Sequence, residues 1–208
     1  MFAYVLTLGR LVLAAGFALA LAYYCTGSAA ASGSSAGHLP LGWMLTLLAL
    51  AGLAELTDML DGVAARRFGT VSRLGGLLDP LCDSLCRLTM YYAIALAGWL
   101  ALAVPLVMTA RDLVVAYVRT AVAHAGGGTA ARWSGKAKAI VQGLAILVVI
   151  VSRGTPLGPG LLVQAIANCA GGAVIAVTLW SLFDYLRSGW PAIMAMKNDG
   201  RSPVKTKK

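Results

Sequence analysis

The sequence predicts an all-α integral membrane protein, with six transmembrane helices around a polar cavity that opens to the cytoplasmic side. Three observations carry this expectation. Of 208 residues, 59% are hydrophobic and only 12% charged, with a mean hydropathy of +0.79, far from the composition of a water-soluble domain. Apolar runs long enough to cross a bilayer, which takes roughly 17–25 residues, recur along the chain. Cations are confined to alternate connections, as happens when short cytoplasmic loops retain positive charge during insertion.

The runs fall at 4–25, 41–63, 80–100, 103–123, 137–153 and 160–186. The first also fits a cleaved signal peptide, with Arg10 ahead of an apolar run and small residues at 29–31, but that would leave an odd number of spans. The Gly/Ser/Ala-rich loop at 26–37 is an uncharged, flexible connector. Arg66, Arg67 and Arg73 lie between the second and third spans, Arg132, Lys136 and Lys138 between the fourth and fifth, and Lys197, Arg201, Lys205, Lys207 and Lys208 in the tail. The opposite connections hold almost no charge, Arg153 excepted. Both termini are therefore expected in the cytoplasm, with residues 1–190 forming a multi-pass domain of the inner membrane and 191–208 a basic tail. No nucleic-acid partner is expected of a net charge of +9 distributed in this way.

Four cysteines, Cys25, Cys82, Cys86 and Cys169, lie in or beside apolar segments without a pairing signature, and are expected to be buried, inert thiols. His38 and His124 are too distant in sequence from Cys82 and Cys86 to suggest a soft metal site.

Asp58, Asp61, Asp79 and Asp83 are four of the chain's eight acidic residues. Asp58 and Asp61 are spaced i, i+3 near the end of the second span, and Asp79 and Asp83 i, i+4 at the start of the third, so each pair shares a helix face. Both pairs lie at the cytoplasmic ends of their spans. An aspartate at the centre of a membrane helix costs on the order of 2.5–3.5 kcal/mol, and like charges add repulsion. Hard divalent cations relieve both penalties, and an oxygen-only donor set suits Mg2+ or Mn2+ held together with substrate phosphates. Gly62, Gly75 and Gly76, with Ala64 and Ala65, let backbone approach a ligand closely, or let helices pack tightly.

The pattern Asp58-x2-Asp61-Gly62-x2-Ala65-Arg66-x8-Gly75-x3-Asp79-x3-Asp83 resembles, position for position, the signature of the CDP-alcohol phosphotransferases. The resemblance implies six membrane helices, usually a homodimer among membrane lipids, and transfer of a phosphatidyl or similar group from a CDP-linked lipid such as CDP-diacylglycerol to an alcohol, with release of CMP. It implies that Asp58, Asp61, Asp79 and Asp83 hold two divalent ions, that Asp83 also takes the proton of the attacking hydroxyl, that Gly62, Ala65 and Gly75 line the cytidine pocket, and that Arg66 lies near the diphosphate. Ser84, with no paired base, is expected to pack or hydrogen-bond rather than act as a nucleophile.

Arg111-Asp112 and Arg119, then Ser134-Gly135-Lys136-Ala137-Lys138-x3-Gln142, together with Leu6-Thr7-x2-Arg10, resemble the phosphatidylglycerophosphate synthases within that family. Departures are Cys82 and Ser84 around Asp83, Asp112 where those enzymes carry Glu, and Ala139 in place of Thr. The likeness points to glycerol 3-phosphate as acceptor, with inositol phosphate or another phosphorylated polyol as the alternative. Cations inside membrane spans are expensive unless they meet an anion, so an acceptor phosphate would suit Arg111, Arg119, Lys136 and Lys138. Ion pairing of Arg111 with Asp112 or Asp184, and snorkelling of the two lysines, would stabilise them equally well. A cation channel would instead require polar residues through the midplane and paired broken helices, and a scaffold would have no use for four clustered aspartates.

Overall fold

A computed structural model describes the backbone over 2–32, 39–68, 75–124, 133–155 and 160–199, and the side chains over 9–27, 39–57, 80–123, 133–155, 160–190 and at Met194. The described residues form six α-helices: α1 (Phe2–Ser32), α2 (Leu41–Phe68), α3 (Gly75–Leu96), α4 (Ala103–His124), α5 (Trp133–Gly154) and α6 (Leu161–Asp199). Each overlaps one expected span, but the boundaries differ in ways the local chemistry explains.

Helix α2 continues past the expected end at 63, because Ala64-Ala65-Arg66-Arg67 are strong helix formers whether or not lipid surrounds them. Among the described residues, Leu41–Thr57 is an apolar helical stretch. Helix α3 begins at Gly75 rather than 80, with Pro80 inside it at the loss of one backbone hydrogen bond. It ends at Leu96 rather than 100, because Gly98, at φ 72°, adopts the left-handed conformation that glycine takes readily. There the Gly98 N–H donates to the Ala95 carbonyl at 3.0 Å and the Trp99 N–H to the Ile94 carbonyl at 3.1 Å, a Schellman cap. Helix α6 runs without interruption to Asp199, beyond the expected end at 186.

Three windows among the described residues are long and apolar enough to cross a membrane: Gly9–Gly27, Trp133–Gly154 and Leu161–Trp190. The outward faces agree with their apolar composition. Val12 and Leu19 are each 71% exposed, Leu96 81% and Leu161 93%, an apolar exterior that lipid accommodates and water does not. The protein is a helical integral membrane protein. Its interior is partly polar, since Arg10, Arg111, Lys138, Gln142, Thr178 and Ser181 are buried.

Consecutive helices alternate in direction. At one end, the Leu39 N–H donates to the Arg153 carbonyl at 2.9 Å, joining the entry to α2 with the last turn of α5. At the same end Trp43 contacts the rings of Tyr23 and Tyr24, Tyr24 contacts Trp99, and the Arg153 guanidinium lies 5.7 Å from the Trp99 centroid. These residues form an aromatic girdle of the kind found at membrane interfaces. The core between the ends is built on Phe17, Leu21, Leu47, Met90, Ile94, Met108, Ile146 and Ile150.

Candidate active site

The acid-bearing segments belong to the other end of α2 and α3. Asp58, Asp61, Gly62, Ala65 and Arg66 lie on the helical backbone of α2, and Gly75 and Asp79 on that of α3; their side chains lie outside the described residues. Asp83 is described. Its carboxylate pairs with the buried guanidinium of Arg10 on α1, and the Cys86 thiol, one turn further along α3, donates to the Arg10 carbonyl at 3.6 Å. Arg10 thus meets an acid of the signature, which gives the N-terminal Leu6-Thr7-x2-Arg10 motif a physical partner.

A small polar pocket opens here, lined by Arg10, Ala54, Glu55, Asp83, Cys86 and Arg87. Across it Arg87 Nε and Nη2 donate to the two oxygens of Glu55, each at 3.2 Å. The pair was not foreseen from sequence: the two residues are 32 positions apart, in segments that otherwise read as apolar span. Gly143 on α5 makes room for it, since a Cβ there would lie 3.1 Å from the Glu55 carboxyl carbon.

A second polar cluster joins α4, α5 and α6. Asp112 accepts from Arg111 Nη1 at 2.9 Å and from Lys138 Nζ at 2.5 Å, with Ser84 nearby. Arg111 Nη2 donates to Ser181 Oγ at 2.6 Å. Of the two internal partners open to Arg111, Asp112 is the one it takes, whereas Asp184 accepts from Ser134 at 2.6 Å. Lys138 does not snorkel; it is buried against Asp112, while Lys136 is exposed in the first turn of α5. Two positive charges thus share one carboxylate.

Arg119 differs from both. Its Nη2 donates to the Tyr185 hydroxyl at 2.9 Å, a neutral partner, and Arg111 and Arg119 each lie 5.2 Å from the centroid of the Tyr185 ring. The Tyr185 face, a cation–π platform with a hydroxyl at its edge, gave no signal in the sequence beyond an aromatic residue in a span. Gln142, in the same seam, is fully buried, donating to Thr178 at 3.2 Å while its backbone carbonyl accepts from Tyr91 at 2.8 Å.

Among the described residues no three His, Cys, Asp or Glu side chains converge, and three of the four expected metal ligands lie outside them. The cysteines divide: Cys82 and Cys86 are buried, Cys25 is half-buried, and Cys169 is exposed on the outer face of α6, contrary to the expectation that all four are interior.

The chain was compared with known proteins along its length. The family model for CDP-alcohol phosphatidyltransferase matches residues 1–186. A protein of Pseudomonas fluorescens named CDP-diacylglycerol–glycerol-3-phosphate 3-phosphatidyltransferase is 32% identical over 175 residues, covering 81% of this chain and 86% of the relative. A protein of Mycobacterium tuberculosis named probable phosphatidylglycerophosphate synthase is 31% identical over 182 residues, covering 88% of this chain and 78% of the relative. With the family model spanning almost all of the membrane-embedded chain, and the signature aspartates carried on α2 and α3 inside the matched region, this protein belongs to the CDP-alcohol phosphatidyltransferase family.

Proposed function

We propose that this protein transfers the phosphatidyl group of CDP-diacylglycerol to sn-glycerol 3-phosphate, releasing CMP and forming phosphatidylglycerophosphate. Membership of the family supports the reaction class. The observation that carries the acceptor is the environment of Arg119. Arg111 and Lys138 already share Asp112, whereas Arg119 meets only a neutral hydroxyl among the described residues, leaving a guanidinium suited to a phosphate. Relatives named for the same acceptor point in the same direction.

In this assignment Asp58, Asp61, Asp79 and Asp83 hold two divalent ions. The donor set fits Mg2+ or Mn2+ because it is oxygen throughout. When bound, the ions neutralise charge on the diphosphate as CMP departs. The acceptor hydroxyl bonds to the lipid-side phosphorus, the bond from that phosphorus to the bridging oxygen breaks, and CMP leaves with that oxygen. Asp83 takes the hydroxyl proton, and Arg10 fixes the orientation of its carboxylate. Gly62, Ala65 and Gly75 allow close approach of the cytidine, and Arg66 faces the diphosphate. Arg119, with Arg111 behind it on the Tyr185 ring, binds the acceptor phosphate, Lys138 adds positive potential, and Lys136 attracts the acceptor from the mouth of the site.

We further assign all six helices as membrane spans, with the cavity and both termini on the cytoplasmic side of the inner membrane, a homodimeric assembly, a membrane domain over 1–190 and a basic tail over 191–208. The distribution of Lys and Arg supports the orientation.

The decisive experiment measures CMP release from CDP-diacylglycerol by the purified protein with glycerol 3-phosphate, inositol phosphate, glycerol, inositol and serine. Glycerol 3-phosphate is expected to be the best acceptor. A preference for inositol phosphate would reassign the acceptor within the same chemistry, and a preference for an unphosphorylated alcohol would overturn the phosphate role of Arg119.

A further inference from the structure

We propose that Glu55 and Arg87 form a positioning pair that sets the spacing between the acid-bearing ends of α2 and α3; this rests on the assignment of the four aspartates as metal ligands. Glu55 precedes Asp58 by three residues and Arg87 follows Asp83 by four, so each lies one turn from a signature acid, on the same helix face. The two helices pack at length along α1 and touch each other only over a short stretch among the described residues. Within that stretch the ion pair is a fixed polar link.

Its geometry is suited to holding register. Two N–H···O bonds of 3.2 Å, from Nε to one oxygen and from Nη2 to the other, form a fork that tolerates little sliding. Displacing α3 by one turn would strand a carboxylate and a guanidinium in a membrane interior, where neither is stable alone. Gly143 brings α5 to the back of the pair: a Cβ at that position would meet both Glu55 oxygens, at 3.2 and 3.4 Å. Arg10 adds α1, through Asp83. Four helices thus converge on one polar lock, and the lock stands beneath the aspartates that must face one another to share a pair of cations.

Glu55 also bears on charge. As a fifth carboxylate one turn from the cluster it would add repulsion, or compete for a cation. Held by Arg87, it does neither, so the pair separates the metal-binding acids from the span below.

The test uses the full-length protein in lipid vesicles and compares the wild type with Glu55→Gln, Arg87→Gln, Gly143→Ala and the double swap Glu55→Arg with Arg87→Glu. Two readouts are taken across a Mg2+ titration: the midpoint of thermal stabilisation, which needs no turnover, and the midpoint of CMP release. Each single charge variant is expected to raise both Mg2+ midpoints about 10–100-fold, while the Michaelis constant for the acceptor stays within about twofold of wild type. The double swap should return the midpoints toward wild type. Gly143→Ala, which keeps both charges, should move them in the same direction by less, and it carries the test if a charge variant does not fold. Unchanged Mg2+ midpoints in the variants that fold, a change confined to the acceptor constant, or a swap no better than the single variants would each overturn the positioning role. A wild type indifferent to Mg2+ and Mn2+ in both readouts would overturn the metal assignment, and the pair's role with it.

Discussion

Asp112 is where the chemistry of single residues is most exposed to measurement. It accepts from Arg111 and Lys138, so removing its charge would leave two buried cations without their shared counterion. Asp112→Ala is expected to destabilise the fold by about 3–5 kcal/mol, the range for breaking a buried ion pair from one side, read as a loss of thermal stability in detergent. Asp83→Asn tests function instead. It should abolish CMP release while CDP-diacylglycerol still binds, because the proposed base is lost and one proposed metal ligand weakened; turnover at the wild-type rate would remove Asp83 from the mechanism. For Arg119→Ala the acceptor's Michaelis constant should rise roughly ten- to a hundredfold with little change in that of the lipid, since one charge-assisted hydrogen bond is worth about 1.5–3 kcal/mol. Adjacency made the Arg111–Asp112 pair legible in the sequence. Glu55 and Arg87, and the Tyr185 platform beneath Arg119, were not legible, because contacts between distant segments leave no mark in spacing.

At the scale of the element, hydropathy located every helix but misjudged several ends. Apolar composition continues through Ala97 to Leu100, whereas the helix is stopped by the left-handed Gly98 and the two hydrogen bonds that cap it. Gly98→Ala should cost about 1–2 kcal/mol through the left-handed penalty on a residue with a Cβ. The change is checked by thermal unfolding and should be accompanied by altered Trp99 fluorescence, since Trp99 follows the cap directly. In α2 the opposite error occurs: charged residues were read as a span's end, yet the helix carries Asp58 and Asp61 onward to Phe68. The signature acids therefore stand on continuous helices rather than on a loop, which favours rigid placement of ligands.

For the whole molecule, the pattern that hydropathy reads most directly is the contrast between an apolar exterior and the buried polar groups within. The composition announced the exterior; in the interior, three helices had to come together before Arg10, Asp83, Glu55 and Arg87 gathered in one pocket. Removal of divalent ions by chelation should abolish CMP release, with recovery on adding Mg2+ or Mn2+. Activity that persists in chelator would sink the metal assignment.

In the proposed orientation, the aromatic girdle of Tyr23, Tyr24, Trp43 and Trp99 has a consequence for depth. From Leu96, beside the girdle, to Asp83 is thirteen residues of α3, or about 20 Å at the helical rise, against a hydrocarbon layer of about 30 Å. With the rings at one interface, as the proposed orientation has them, Asp83 would lie below the level of the opposite headgroups. The proposed reaction would then take place inside the leaflet: the lipid diphosphate would have to sink, or the bilayer thin, for phosphorus to meet acceptor. Bilayer thickness would then become a kinetic variable, and hydrophobic mismatch a means of regulating turnover without any ligand. In vesicles of progressively longer acyl chains at matched fluidity, CMP release should fall as the membrane thickens, with the acceptor's Michaelis constant little altered.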